Sequence, residues 1–430
     1  MTQIQRSSFR KKFHHGLRRL FGVLPAPARF EIYRRMVDCD PEPDARLQLK
    51  IAETREELED CFKILHDAYV ASGFMKPEPS GMRITPYHAL PTTTTLCAKY
   101  DGRVVGTISM IREGVFGFPL QSVFDLEHVR AQGGQIAEIS ALAVHPDFRK
   151  TGGAILFPLM KFMHEYCTEF FDTRHLVIAV NPERIELYEA LLYFQRLQET
   201  VVDNYDFANG APAVGATLDL KHASDVFRAG YRGRAARKNL HKYFFQLKLE
   251  NIQLPRRRYF TTNDPVMTPA LLDHFFNKKS KVFEELDDRK KALLWSIYGL
   301  VEYRSVLPML RGDAVAGHPL RQHQRYSIRC PGVVTFDTPE GKRPFVLHVI
   351  EVSLSGFQAE CKLDLELGRS GEATIELGKS EHSTVTVSAV RRRETDAGVF
   401  IGFRLDEPDR IWRQCVAALE VGQTSDDLMQ

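Results

Sequence analysis

Residues 137–154 read AEISALAVHPDFRKTGGA, and this stretch decides how the first half of the chain folds. Its first eight residues are mostly apolar, which is typical of a buried strand. A polar loop with Pro146 follows, and Gly152 and Gly153 come just before a helical pattern. The apolar stripe of that helix consists of Ile155, Leu159, Phe162 and Tyr166. The stretch therefore predicts a strand, a loop and a helix in that order.

The surrounding residues 46–220 repeat this alternation of strand and helix patterns, which predicts one α/β domain. Strands are expected at 48–52, 94–100, 103–111, 135–144, 176–180 and 215–220. Helices are expected at 55–70, 153–171 and 182–195. A basic amphipathic arm is predicted at 1–45 and a basic helical connector at 221–317. An all-β unit is predicted at 318–421, followed by a tail at 422–430.

The loop before the helix has the composition of an anion site. Backbone N–H groups at a helix start can approach an anion closely when the residues there are small, and the helix dipole favours the negative charge. The residues predicted to form this site are Arg149, Lys150, Gly152, Gly153 and Ala154. The two cations would bind phosphate, although they could instead only solvate the loop.

The R-x-x-G-x-A array of residues 149–154 resembles the acyl-CoA signature of GNAT-fold N-acyltransferases. That resemblance implies that the loop holds the pyrophosphate or pantetheine of an acyl thioester. Asn181, Tyr188 and Phe194 resemble the second motif of the fold. The similarity is closest to the FeeM-like group that makes N-acyl amino acids, and it covers roughly residues 48–220.

Related autoinducer synthases carry Glu-x-x-Arg on the central strand. Here Glu138 is followed by Ala141 at the arginine position, which argues against homoserine-lactone synthesis. Glu138 could take a proton from the acceptor amine through water, and burial would raise its pKa toward that task. It could also be a carboxylate at an exposed strand end.

Two further groups complete the expected reaction centre. Tyr188 could protonate the leaving thiolate, or it could be a packed aromatic on a helix face. Backbone N–H groups near Leu142 and Val144 could polarise the thioester carbonyl if the strand bulges there.

The C-terminal region predicts short strands at 332–336, 346–352, 358–361, 371–377, 383–391 and 398–405, followed by a helix at 408–421. Residues 321–325 read RQHQR, and residues 351–356 read EVSLSG. Two arginines at this spacing can present planar forks to phosphate or to a guanine edge. Ser353 offers a hydroxyl, and Gly356 allows a close backbone approach.

These motifs resemble those of the PilZ domain, the bacterial receptor for cyclic di-GMP, whose pattern is RxxxR plus [D/N]xSxxG. Glu351 stands where the family has Asp or Asn. The resemblance implies a nucleotide site made by Arg321, Arg325, Glu351, Ser353 and Gly356. The alternative is a small barrel with a solvated arginine pair.

The composition is that of an ordinary soluble protein, with 43% hydrophobic and 26% charged residues. The first 36 residues hold nine Lys or Arg and one acid, and residues 221–258 are also basic. Such patches suit an anionic membrane surface, an acidic carrier protein or nucleic acid. The seven scattered cysteines lack metal-ligand spacing, and no apolar run reaches the length of a membrane span.

The sequence thus predicts a GNAT-like α/β acyltransferase domain, a helical connector and a C-terminal all-β PilZ barrel. The expected protein is an N-acyltransferase of the cytoplasm or the inner-membrane surface. It would take a long-chain acyl group from an acyl carrier protein (ACP) or CoA thioester and respond to cyclic di-GMP. Its acceptor would be an amino acid or amino lipid, with no metal and no nucleic acid polymer involved. Two alternatives stay open, a short-chain acetyltransferase under nucleotide control and a non-catalytic cyclic di-GMP effector.

Overall fold

A computed structural model describes most of the chain. The described residues are 24–149, 151–261, 267–298, 301–310, 323, 325–338, 341–361, 367–395 and 398–420. Lys150, Arg321, most of the basic arm and the tail at 422–430 lie outside these ranges. None of the helices within them has the length and apolarity needed to cross a bilayer.

The N-terminal half is built on one mixed sheet. Its strands are β1 (Leu47–Ile51), β2 (Thr93–Tyr100), β3 (Arg103–Arg112), β4 (Gln135–Val144), β5 (Thr173–Val180), β6 (Gln195–Arg196), β7 (Val202–Tyr205) and β8 (Ala211–Asp219). In the described part of the chain they lie in the order β1-β2-β3-β4-β5-β8-β6, with β7 paired to β8. The neighbours β4 and β5 are parallel, and the described neighbours on both sides of them are antiparallel.

Helices cover both faces of this sheet. They are α1 (Ala26–Met36), α2 (Arg55–Ala71), α3 (Glu127–Arg130), α4 (Leu156–Phe171) and α5 (Ile185–Leu192). Helix α2 begins at a capping box, in which Thr54 and Glu57 each bond the other's backbone N–H. The apolar face of α4 buries Leu159, Phe162 and Tyr166 against the sheet, as the stripe in the sequence predicts.

Helix α4 begins three residues later than its sequence pattern predicts. Gly152 and Gly153 have φ values of +67° and +95°, in a region that glycine adopts without strain. These two residues therefore form the turn before the helix, and the helix starts at Leu156.

The connector is helical, as predicted, but both of its parts pack on the α/β domain. Helices α6 (Leu220–Gly230) and α7 (Leu240–Phe245) share a core with Phe157 of α4. A second group covers α2 on the other face, through α8 (Pro269–Leu272), a π-helical turn (Asp273–Lys278), α9 (Val282–Glu285) and α10 (Asp288–Ile297). The hydroxyl of Tyr298 fixes this group by donating to the Ala89 carbonyl at 2.5 Å.

The C-terminal region forms a closed barrel. Its described strands are β9 (Tyr326–Thr338), β10 (Gly341–Ser353), β11 (Gly356–Glu360), β12 (Ser370–Gly378), β13 (Glu381–Thr395) and β14 (Gly398–Leu405). They close in the order β10-β11-β14-β13-β12-β9. The last helix, α11 (Arg410–Glu420), buries Trp412 completely against the barrel core.

A short connector segment, residues 258–261, joins the barrel between β9 and β12. The Phe260 N–H donates to the Leu377 carbonyl, and the Phe260 carbonyl accepts from the Arg329 N–H, both at 2.9 Å. Thr261 forms an antiparallel β-bridge with Ile328, and Tyr259 is fully buried in the barrel core. The structure therefore confirms the α/β domain, the helical connector and the all-β barrel, and it shows in addition that one connector segment completes the barrel.

Candidate functional site

Strand β4 bulges at the point where the sequence suggests an oxyanion site. Thr107 pairs with Ala143 and Ser109 pairs with Ser140, so β4 has one more residue than β3 between these pairs. Ala141 takes up the extra length with a left-handed φ of +57°. A bulge of this kind turns backbone groups out of the sheet ladder. The oxyanion role predicted for the N–H groups near Leu142 and Val144 required a bulge in this strand, and the bulge is present.

The strands β4 and β5 separate beyond this level. Their described pairing runs from Gln135–Thr173 to Glu138–Val177 and ends there, although both strands continue. A cavity of about 200 Å³ opens beside the separated strands. Its lining is mostly apolar and includes Ile139, Ser140, Ala141, Leu142, Ile178, Ala179, Val180 and Tyr188. Residues of both strands beyond their last described pair therefore line one cavity.

Glu138 lies at the base of this separation and is 1% exposed. Its Oε2 accepts a hydrogen bond from the Leu120 N–H at 3.0 Å. Burial raises the pKa of its carboxyl to about 8, although the Leu120 hydrogen bond acts in the opposite direction. Glu138 is not among the described residues that line the cavity, whereas its neighbours Ile139 and Ser140 are. Side chains alternate along a strand. Ile139 packs in the core under α4, whereas the Glu138 carboxyl lies on the opposite face of the sheet, where Leu120 is buried.

Tyr188 is placed on the cavity side of α5. It lines both the cavity and an adjoining groove, and its ring meets the edge of Phe194 at 6.0 Å between centroids. Burial raises the pKa of its hydroxyl, which therefore stays protonated at neutral pH. The side chain can donate a proton or a hydrogen bond toward either space.

The groove, of about 420 Å³, lies between the end of β4, the start of α4 and helix α5. Its described lining includes Leu142, Val144, Arg149, Phe157 and Arg184. The Arg149 Nε donates to the Val144 carbonyl at 2.8 Å, so part of its guanidinium is used to close the strand end. Gly152, Gly153 and Ala154 form the turn before α4, and they are not among the described residues that line the groove. Lys150 lies outside the described residues.

A buried arginine that sequence reasoning missed lies near Glu138's face of the sheet. Arg83 is 5% exposed, and its guanidinium is 4.1 Å from the Tyr69 ring centroid and 5.0 Å from that of Phe207. It donates to the Phe207 carbonyl. Among the described residues no carboxylate pairs with it. The buried Tyr205 hydroxyl nearby also lacks a described hydrogen-bond partner.

The barrel carries a second site, a pocket of about 280 Å³. Its lining brings together Arg325, Glu351, Ser353 and Gly356, four of the five residues predicted from the two motifs. The fifth, Arg321, lies outside the described residues. Arg325 and Glu351 form an ion pair at 2.7 Å, and the Ser353 Oγ donates to the Gly356 carbonyl at 3.0 Å.

Glycine is required at 356 because a Cβ there would collide with the Phe403 carbonyl of β14.

Three cationic side chains that line the same pocket belong to neither motif. Arg391 and Arg393 lie two residues apart on β13, and Arg404 lies on β14. The period of two along a strand could have placed the first two on one face, but a single sequence does not show which face is concave.

No group of three or more His, Cys, Asp or Glu side chains in the described part of the chain is arranged to hold a metal ion. The two candidate sites are an apolar cavity beside a bulged strand and a polar pocket on the barrel.

Residues 60–219 match the family model for N-acyl amino acid synthase FeeM, which is less than half of the chain. A search of curated proteins gave no significant match. Among solved structures, FeeM from uncultured soil microbes is 23% identical over 42% of this chain and 94% of its own, with a TM-score of 0.36. The CoA-dependent acyl-homoserine lactone synthase BjaI is 20% identical over 43% of this chain and 88% of its own, with a TM-score of 0.31.

The C-terminal region has its own similarities. The PilZ domain of YcgR from Escherichia coli, solved with c-di-GMP, is 14% identical over 24% of this chain and 95% of that domain, with a TM-score of 0.20. The chain combines an α/β sheet, most of which lies within the family match, with a closed all-β barrel.

Proposed function

We propose that the protein is an N-acyltransferase that moves an acyl group, long in chain, from a thioester to an amine under the control of cyclic di-GMP. The observation that carries this proposal is the bulged β4 beside a cavity between separated strands, with a buried carboxyl at its base. The thioester carbonyl would lie against the backbone of Leu142, where N–H groups turned out of the ladder can stabilise developing negative charge. The cavity, being apolar, would take the acyl chain.

Proton transfer is assigned to Glu138 and Tyr188. An amine that attacks a thioester must lose a proton, and the carbonyl carbon then expels a thiolate that must gain one. Glu138, in the fraction of molecules in which its carboxyl is ionised, accepts the first proton through a water molecule that reaches it between the separated strands. Tyr188, which lines both cavity and groove, gives the second to the sulfur and is restored from solvent.

A carrier protein is the preferred donor over free CoA. The carboxylate of Asp38 lies 4.0 Å from the position that a Cβ on Gly152 would occupy. Arg237 pairs with Asp38 at 2.9 Å and offsets part of this charge. An acid beside the loop disfavours the several phosphates of CoA more than the single phosphodiester of a carrier-bound pantetheine. The basic residues at 221–258 would meet the acidic carrier.

The acceptor is proposed to be an amine that also bears a carboxylate, such as an amino acid. A buried guanidinium is stable only when it is paired or fully hydrogen-bonded, yet no described carboxylate pairs with Arg83. A substrate carboxylate would supply that pair. The buried Tyr205 hydroxyl could donate a second hydrogen bond to it.

Regulation is proposed to pass through the connector segment that completes the barrel. Thr261 donates to the Ser327 carbonyl at 3.4 Å, two residues beyond Arg325 of the nucleotide pocket. Arg257, which directly precedes the segment, donates to the Thr261 carbonyl at 2.8 Å and to the Tyr166 hydroxyl of α4 at 3.2 Å. Its guanidinium also lies 5.0 Å from the Phe170 ring. A nucleotide that breaks the Arg325–Glu351 ion pair would therefore bias a chain of contacts that ends on α4.

The proposed setting is the cytoplasm, where the basic arm holds the protein against the anionic face of the membrane. The test is a reconstituted reaction with purified full-length protein, palmitoyl-ACP or palmitoyl-CoA, a mixture of amino acids, and product detection by mass spectrometry. We expect an N-acylated product from ACP, formed much more slowly with Glu138→Gln, and a rate that changes when cyclic di-GMP is added. Free thiol release without an acylated amine, or no turnover with either donor, would refute the enzyme.

A further inference from the structure

One side of the cavity is lined by helices that lie beyond the residues of the family match. Helix α6 contributes Ala223 and Phe227, and α7 contributes Phe244 and Phe245. Met160 and Met163 of α4 complete this end. The wall is therefore almost wholly apolar where the distal part of an acyl chain would lie.

One polar side chain interrupts this wall. His164 of α4 lines the cavity, with its ring 5.9 Å from Phe244 and 5.0 Å from Phe245 between centroids. Its Nδ1 is buried and has no hydrogen-bond partner among the described residues. Burial, reinforced by the nearby charge of Lys161, lowers the pKa of the imidazole to about 4. The ring is therefore neutral at physiological pH, with one donor and one acceptor nitrogen.

The neighbouring polar groups do not satisfy this imidazole. Lys161 donates instead to the Phe244 carbonyl at 3.2 Å and pairs with Glu165 at 2.7 Å. The other polar side chains described in the cavity lining, Tyr69, Ser140 and Tyr188, belong to α2, β4 and α5. An unsatisfied buried nitrogen is unfavourable, and a purely hydrocarbon chain would leave it so.

We propose that the cavity selects an acyl chain that carries a hydroxyl group, and that His164 is the residue that recognises this hydroxyl. The proposal rests on the N-acyltransferase function and specifies its donor. A hydroxyl matches a neutral imidazole because it can both donate and accept a hydrogen bond. The imidazole is the polar side chain at this apolar end of the cavity, so a hydroxyl on the bound chain would be its hydrogen-bonding partner there.

The first test compares matched donors of one chain length as thioesters of the same carrier protein. The panel is hexadecanoyl, 3-hydroxyhexadecanoyl and 10-hydroxyhexadecanoyl. We expect one hydroxylated donor to exceed hexadecanoyl by about 10- to 100-fold in kcat/KM, the effect of satisfying one buried polar group. Turnover in which hexadecanoyl equals or exceeds both hydroxylated donors overturns this inference and leaves the acyltransferase standing. No turnover with any donor refutes the acyltransferase itself.

The second test measures the same ratio in three variants. His164→Phe removes the hydrogen-bonding atoms, and the hydroxylated-to-plain ratio should fall to about one. His164→Asn keeps a donor and an acceptor and should retain part of the preference. Met160→Leu, in the same wall, changes the shape without changing polarity and should leave the ratio as in the wild type. A ratio that His164→Phe leaves unchanged, or that Met160→Leu abolishes equally, rejects His164 as the recognising residue.

Discussion

Replacement of Glu138 by Gln tests the electrostatics of the proposed reaction centre through stability as well as rate. The carboxyl has a pKa of about 8 when folded, against 4.5 as the ordinary value. Between these two values the folded protein keeps a proton that the unfolded chain releases, so stability falls as pH rises from about 4.5 to 8. For one group with this shift the loss between pH 4 and pH 7 is on the order of 3 kcal/mol.

Gln keeps an oxygen that can accept from the Leu120 N–H but does not ionise. Glu138→Gln should therefore match the wild type near pH 4.5 and become more stable by about 2–3 kcal/mol at pH 7. The measurement is urea unfolding at several pH values, followed by the fluorescence of Trp295, which packs on the α2 side of the sheet. A Trp412→Phe background keeps the barrel tryptophan from contributing.

Glu57→Gln is the matched control, because Glu57 is buried in the same domain but has the opposite shift. Burial alone would raise the pKa of Glu57, yet hydrogen bonds from Lys99 and Lys50 outweigh it and lower the pKa to about 2. Its replacement should destabilise the protein at pH 7, and the difference should fade as pH falls toward 2. If the free energies of unfolding of the wild type and Glu138→Gln differ by a constant amount from pH 5 to 8, the reasoning is refuted.

Four further outcomes are expected. Glu138→Gln should lower kcat by roughly 10²–10⁴-fold, and wild-type kcat/KM should rise with pH up to about 8, whereas a flat pH profile assigns the base elsewhere. Arg325→Ala should weaken cyclic di-GMP binding to the full-length protein by roughly 2–5 kcal/mol in isothermal titration, and undiminished affinity rejects the site. Arg257→Ala should leave nucleotide affinity unchanged but reduce the nucleotide's effect on kcat, so an intact response excludes this route. Deletion of residues 1–23 should abolish salt-sensitive co-sedimentation with anionic liposomes, since each Lys or Arg contributes about 1 kcal/mol there.

The main elements could be predicted because their signals are local. Strand β4 has the bounds that its apolar run indicates, and the stripe of α4 repeats every three to four residues. The sequence does not show that β4 bulges at Ala141, and the bulge entered the sequence analysis only as a condition for the oxyanion role. Alanine rarely adopts a positive φ, so its identity does not mark the residue at which the strand gains its extra length.

The residues that were missed depend on contacts between distant parts of the chain. Arg83 lies in a loop with no motif, and its importance follows from burial between Tyr69 and Phe207, which the fold alone creates. Tyr259 was expected in the connector, yet it is buried in the barrel. A pattern of apolar residues shows that a side chain is buried but not which core receives it.

The position of residues 258–261 has a consequence for how the chain is made and how it can be cut. During synthesis this segment leaves the ribosome before any barrel strand exists, so it must wait unpaired until Leu377 and Arg329 arrive. Closing so long a loop delays barrel formation relative to the α/β domain. Gly378 is shaped for the segment as well, because a Cβ there would collide with the Arg258 carbonyl. A fragment that begins at residue 318 would therefore expose a groove where Tyr259 belongs, and a barrel that is moved to another protein must carry its own copy of this segment.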